Sequence, residues 1–482
     1  MNFPRIPSFK TPAALRDHLR SLGASFNLDD AIEAAPSSPL ARPFRLRSGR
    51  DIGNRWCVLP MEGWDCLADG TPSDLTKRRW LRFATGGAKL LFGCEACAVM
   101  ESGRSNTRQL MITDDNAGAI AAILAEMRRA HAERFGTADD LCVGLQLTHS
   151  GRYSHPHDDA RLESVTAYSN PLLDKKFGNT AANVVPDSGI PSIVAAFGHA
   201  ATLAQKAGFD FVDIKCAHGY LGHEFLAART RPGPYGGSFE NRTRFFRECV
   251  EAVRKAAPGL GVGVRFSIFD MIPFAKGPDG IGVPMEIPGV AGPGNYPYAF
   301  GGDGTGLGPD PALAEPLAFL ALCRDLGIEL VCTTIASPYY IPHVQRPAYY
   351  PVSDGYLAPE DPMVGVDRQI RAVAQVKAAM PDMAFVSAGL TALQEYLPNV
   401  AQWLVREGKT DFAGYGRMVL SYPEMPADSL KGGPLQRCRI CRTFGDCTTA
   451  PRNGIVSGCY PLDESYRSSA QAALVRKVAW RG

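Results

Sequence analysis

Short apolar runs alternate with longer amphipathic ones along most of the chain. Residues 56–62, 89–93, 143–147, 211–215, 261–267, 329–335, 384–389 and 411–417 are brief, rich in Val, Ile, Phe, Tyr or Trp, and bounded by turn formers, so they predict strands. Between them, apolar residues recur at helical spacing over 75–85, 115–135, 192–208, 239–257, 312–326, 367–380 and 391–408. The punctuation agrees. Asp114 or Asp115 can cap the second helix, Ser192 the third and Ser238 the fourth, while Gly136 and Gly208 end theirs. Strands regularly separated by helices predict an α/β chain folded as a (β/α)8 TIM barrel. A doubly wound sheet is the runner-up, but no strand runs into a glycine-rich turn and helix of dinucleotide type. The run Gly302–Gly308 has no strand ahead of it and is expected to be a flexible loop.

Two connections, 154–191 and 270–311, are too long to be plain linkers and are rich in Gly, Pro, Asn and Asp. After a barrel strand such loops lie on the catalytic face, so both are expected to act as lids over a substrate pocket. The chain divides into an N-terminal extension (1–40), the barrel (41–430) and a Cys-rich C-terminal extension (431–482). With 482 residues, 45% of them hydrophobic, it can bury a large core. A net charge of +2 with scattered basic residues excludes a nucleic-acid stripe. No run approaches the roughly 18 apolar residues of a membrane helix, and no signal peptide opens the chain. A cytoplasmic location is the default expectation, with reduced thiols: most of the 13 cysteines are dispersed in apolar surroundings. Four are not: Cys438, Cys441, Cys447 and Cys459 form C-x2-C-x5-C-x11-C, a set of thiolates able to hold iron–sulphur or zinc.

The densest chemistry lies at 208–248. The fourth strand ends in Lys215, His218 and Tyr220, three donors at a strand's carboxyl end, which is where barrels build active sites. His218-Gly219-Tyr220 and the Tyr235–Arg242 run Tyr-Gly-Gly-Ser-Phe-Glu-Asn-Arg resemble the old yellow enzyme (NADH:flavin oxidoreductase) family of FMN-dependent ene-reductases. The resemblance extends from about Leu40 to Asp428. It implies that Pro60, Met61 and Glu62 lie along the flavin, with Ala96 nearby, and that Gln146 pairs with its pyrimidine ring. It further implies that Arg265 faces N1 and O2, where a fixed cation favours the reduced flavin. Gly389, Gly416 and Arg417, at the ends of the last two strands, are implied to clamp the phosphate.

At the substrate end, the resemblance implies that Lys215 and His218 hold a carbonyl oxygen and that Tyr220 protonates the neighbouring carbon. Strand alternation points Lys215 inward and Cys216 away. Lys215 can also pair with Glu62 or Glu95. Glu62 stands where one branch of the family uses a Cys to attach its flavin, so the FMN is implied to be non-covalent. The tail resembles the [4Fe–4S] motif of the dienoyl-CoA reductase branch, with a longer gap between Cys441 and Cys447. These features predict an FMN oxidoreductase reducing an activated C=C bond of a small molecule, fed by NAD(P)H or a protein electron donor. A dehydrogenase or demethylase of an amine or alicyclic substrate, and a non-catalytic flavin and metal redox protein, are the alternatives. A homo-oligomer is among the expected partners.

Overall fold

The computed structural model describes residues 3–480. Eight strands form the barrel: β1 (Trp56–Val58), β2 (Leu90–Leu91), β3 (Cys142–Thr148), β4 (Phe211–Cys216), β5 (Gly261–Ser267), β6 (Leu330–Thr334), β7 (Ala384–Val386) and β8 (Ala413–Tyr415). They pair in parallel in the order β7-β6-β5-β4-β3-β2-β1-β8, and a parallel bridge between Val386 and Phe412 closes the circle. The outer ring is α1 (Asp74–Ala84), α2 (Ala117–Phe135), α3 (Ile190–Ala207), α4 (Arg244–Ala256), α5 (Ala314–Asp325), α6 (Pro362–Ala379), α7 (Leu397–Arg406) and the short α8 (Arg417–Ser421). The (β/α)8 expectation holds. A small strand, Ala96–Ala98, also pairs with β3; its three residues, Ala-Cys-Ala, are too few for the periodicity to show.

Alternation sorts the side chains of β4. Val212, Ile214 and Cys216 enter the large core beneath the helices, while Phe211 joins a separate cluster with Cys57, Leu90, Cys142, Cys332 and Val386 that fills the barrel floor. Asp213 and Lys215 therefore stand above that floor, stacked towards the carboxyl end.

Helix ends depart from expectation in informative ways. Gly136 and Gly208 end their helices at positive φ, 88° and 95°. Ser238 accepts the Asn241 N–H as a cap of the one-turn helix Phe239–Arg242. The cap of α2 falls instead to a reciprocal Thr113–Asn116 pair, and α3 begins two residues before Ser192, with Pro191 in its first turn. Asp361 caps α6, which begins ahead of the expected 367. The run Gly302–Gly308 is a loop, but backbone bonds from Tyr296 to Gly304 and from Ile272 to Gly306 pin it down.

Both extensions close on the barrel. In the first, Asp29 meets Gln402 and Arg406 of α7. The C-terminal segment has its own apolar knot of Ile455, Val456, Tyr460, Tyr466 and Val475. It is tied to α1 through Asp463 with Arg78 and Arg82, and to the loop after β6 through Arg452 with Asp354. It thus covers one side of the barrel mouth. Among the described residues no helix is long and apolar enough to cross a membrane.

Candidate active site

A cavity of about 190 Å³ opens at the carboxyl ends of the strands. Pro60, Met61 and Glu62 line it from the end of β1, Gln146 from β3, Lys215, His218 and Tyr220 from β4 and its loop, and Arg265 from β5. Register makes this possible. Gln146 lies opposite Asp213, and two residues further on Lys215 lies opposite Arg265, so four polar side chains form two successive tiers across three adjacent strands. Gln146 donates its amide to Asp213. Asp213 is fully buried and its other oxygen has no partner; burial pushes its carboxyl up to about 7, against the Gln146 bond and Arg265.

Lys215 is buried, with its ammonium 3.5 Å from the Tyr220 ring centroid and 3.6 Å from a Glu62 oxygen. Burial lowers it to about 8, although Glu62 pulls the other way. Of the two carboxylates within reach in the sequence, Glu95 is taken: it accepts from Arg79 at 2.8 Å and Trp80 at 3.0 Å. His218 turns back over the strand end with φ of 67°. Burial, then Arg265 and Lys215, push its imidazole well below the usual range, so the ring is neutral. The Gln345 amide donates to its Nε2 over 3.0 Å, which leaves Nδ1 to carry the ring proton. The Tyr220 hydroxyl lies 2.8 Å from that of Tyr339.

Other sites named from the sequence sit beside the cavity. Ala96 backs onto Gln146 in register, but its methyl is buried and does not line the space. Gly416 lies against Met61, with 3.3 Å between a built Cβ and the thioether sulphur. Gly389 has φ of +81°, and a Cβ there would come within 2.5 Å of the Gln369 amide; glycine is needed for that approach. Arg417 donates to the Pro347 carbonyl at 2.9 Å. Beside it stands Arg346, which the sequence reading missed. Burial and then the Arg417 charge bring Arg346 down to about 9. It follows the one-turn helix Pro342–Gln345, where nothing local marks a buried arginine. The Tyr235–Arg242 run is structural: Tyr235 donates to Glu248, and Arg242 meets Glu315 and the Leu226 carbonyl.

These residues fit a flavin mononucleotide. Arg265 Nε, Arg346 Nη2 and Arg417 Nη1 are buried without a partner, as is the Gln369 carbonyl. Each such group costs about 1–3 kcal/mol, and two like charges facing each other add to it. An anion between Arg346 and Arg417 removes both penalties.

The cysteine segment adjoins the same space, for Cys447, Thr448 and Ser457 line it. Cys441 and Cys459 are buried and Cys438 is exposed. Burial raises the Cys459 thiol, and Cys441 and Cys447 add to the rise; these three are neighbours. The Thr443 N–H donates to the Cys441 sulphur over 3.4 Å, a contact that suits a thiolate ligand. Among the described residues, no three His, Cys, Asp or Glu side chains gather tightly enough to hold a single ion; a cluster needs its thiolates more widely spaced.

A second cavity of about 300 Å³ continues outward, sharing Trp64, Pro338, Tyr339, Pro451 and Arg452 with the first. Both long loops reach it: His155, Asp159, Lys176 and Phe177 from one, Lys276 from the other.

The model of the NADH:flavin oxidoreductase / NADH oxidase family matches residues 39–285. The NADPH dehydrogenase of Geobacillus sp. (strain WCH70) is 32% identical over 249 residues, which are 49% of this chain and 68% of that protein. A 2-naphthoyl-CoA reductase, solved with 2-naphthoyl-CoA, shares the fold at a TM-score of 0.64 and 16% identity over 91% of this chain, which spans 58% of that one. Morphinone reductase does so at 0.55 and 22% identity, covering 84% of this chain and 92% of that one. The chain belongs to the NADH:flavin oxidoreductase / NADH oxidase family and is an FMN-dependent oxidoreductase.

Proposed function

We propose that the chain reduces the C=C bond of a small molecule activated by a carbonyl group. The observation that carries this is the meeting of Lys215, His218 and Tyr220 in one cavity that Met61, Gln146 and Arg265 also line. The buried ammonium and the neutral imidazole would hold the carbonyl oxygen, and negative charge developing there is stabilised in a site with little water. Tyr220 would donate the proton to the carbon next to the carbonyl. Gln146 would hold the pyrimidine edge of the flavin, Arg265 its N1 side, and Gly389, Gly416, Arg417 and Arg346 its phosphate. When bound, the flavin supplies the hydride, having been reduced by hydride from NAD(P)H or by two electrons from a protein donor and a proton from solvent.

Stopped-flow turnover with a panel of enones, enoyl thioesters and amines tests this. The expected result is oxidation of the reduced flavin by the unsaturated carbonyl compounds. Reduction of the flavin by amines, with no response to any alkene, would replace the reading by an amine dehydrogenase.

We further propose that Cys438, Cys441, Cys447 and Cys459 hold a [4Fe–4S] cluster feeding single electrons to the flavin. The grouping of Cys441, Cys447 and Cys459 against the flavin cavity supports it, and Cys438 is the one ligand that must move inward. Protein purified without oxygen should contain about four irons per chain. Zinc, or four free thiols, would leave the flavin as the sole redox centre.

A further inference from the structure

If Tyr220 gives up a proton at each turnover, it must be given another, and its surroundings restrict the source. Tyr220 is 1% exposed. It lines the inner cavity and not the outer one, and its ring is covered by Lys215 on one face. Two neighbouring hydroxyls, those of Tyr339 at 2.8 Å and of Ser105, lie between it and the outer cavity that both residues line. Burial, with Glu62 and Tyr339 adding to it, pushes the phenol well above its usual range, so a Tyr220 phenolate cannot persist.

Tyr339 is built to supply the proton. Its hydroxyl lies 2.8 Å from that of Tyr220. Its ring is held in place by stacking on Tyr153, with centroids 4.0 Å apart and planes at 14°. It is only partly buried and lines both cavities. Its backbone is fixed too, the Tyr339 N–H donating to Ser337 Oγ at 3.3 Å and that hydroxyl donating in turn to the His218 carbonyl at 2.6 Å. One residue therefore touches the proton donor on one side and the outer, water-accessible space on the other.

We propose that Tyr339 is the proton relay that recharges Tyr220, an inference resting on the reading of Tyr220 as the proton donor. The atoms balance as follows. Hydride from the reduced flavin, whose two electrons come from the nicotinamide or protein reductant, joins the β-carbon, and the Tyr220 proton joins the α-carbon. The Tyr220 oxygen then takes the Tyr339 proton, and Tyr339 takes one from water in the outer cavity, leaving hydroxide to the buffer. Tyr339 acts through Tyr220 and so is a positioning and relay residue.

The test uses the full-length holoenzyme and an enone that the wild type reduces, comparing the first turnover with later ones. Tyr339→Phe keeps the ring that stacks on Tyr153 and removes only the hydroxyl. It should form one product per flavin in a burst and then turn over roughly 10²-fold more slowly than the wild type. A steady-state rate equal to the wild type's, or a first turnover slowed as much as the later ones, would overturn the relay. Tyr220→Phe is run in parallel and should lose the burst itself. If Tyr220→Phe keeps the burst, the proton-donor reading fails and the relay falls with it. If only Tyr339→Phe behaves like the wild type, the relay alone fails.

Discussion

The two walls of the inner cavity are made differently. One is strand-borne: Gln146, Lys215 and Arg265 project from adjacent strands, spaced by backbone hydrogen bonds. The other is loop-borne: Tyr339 and Arg346 follow β6, and Cys447 and Arg452 come from the C-terminal extension. Strand register places a side chain to within a fraction of a residue spacing, which suits groups that must meet fixed atoms of a ring. On the reading proposed above, the loop wall serves partners outside the ring: a phosphate, a proton path and an electron path. In that proposal the sheet sets the chemistry of the ring and the loops its supply lines.

The largest expected effect tests whether the strand side carries the chemistry. Tyr220→Phe should leave folding and flavin content intact while the rate of alkene reduction drops by roughly 10²–10⁴, as read by mixing reduced enzyme with an enone. An unchanged rate would move the proton source elsewhere.

Next come the arginines, one from each wall. Arg265→Ala and Arg346→Met should each weaken FMN binding by about ten- to hundredfold, since a charge-assisted bond is worth about 1.5–3 kcal/mol. They should differ otherwise. Arg265→Ala should also slow flavin reduction, whereas Arg346→Met should raise the melting temperature of the flavin-free protein by relieving its repulsion from Arg417. Equal effects on reduction would erase the distinction between the walls.

A smaller effect concerns pH. Lys215 is held near 8, below the ordinary lysine value of about 10.4. The ammonium is therefore present below about 8 and lost above it, so kcat/KM for an enone should fall as pH rises through that value. Lys215→Met should lack this limb. The sign for stability is opposite: folding is opposed by the buried ammonium below about 8, and this opposition fades as pH rises towards the unfolded value.

The smallest effect on the flavin is expected at the far end of the loop side. Cys447→Ser should leave FMN content unchanged while iron content and the associated absorbance fall. Loss of FMN along with the iron would mean that the two sites fold as one.

Much of this was legible in the residues. Alternation in β4 separates Lys215 from Cys216, and the Gly208 cap follows from local backbone needs; such features depend on a few neighbours in sequence. Helix starts were less so. A nearby Pro or polar pair can outbid a good cap, as Pro191 did Ser192 for α3 and the Thr113–Asn116 pair did Asp114 or Asp115 for α2. Arg346 and Asp213 were passed over for a different reason. Nothing near them in sequence distinguishes a surface arginine or a strand aspartate from a buried one.

The division between sequence and fold follows from this. The sequence by itself determined the barrel, the family and the strand-borne side chains, because periodicity and strand-end motifs are local. Only the tertiary structure decided that Lys215 pairs with Glu62 and not Glu95, that Arg346 faces Arg417, that Tyr339 meets Tyr220, and that the cysteine segment borders the flavin cavity. Each of those is a contact between residues more than 60 positions apart, and such contacts come into being only when the circle of strands closes.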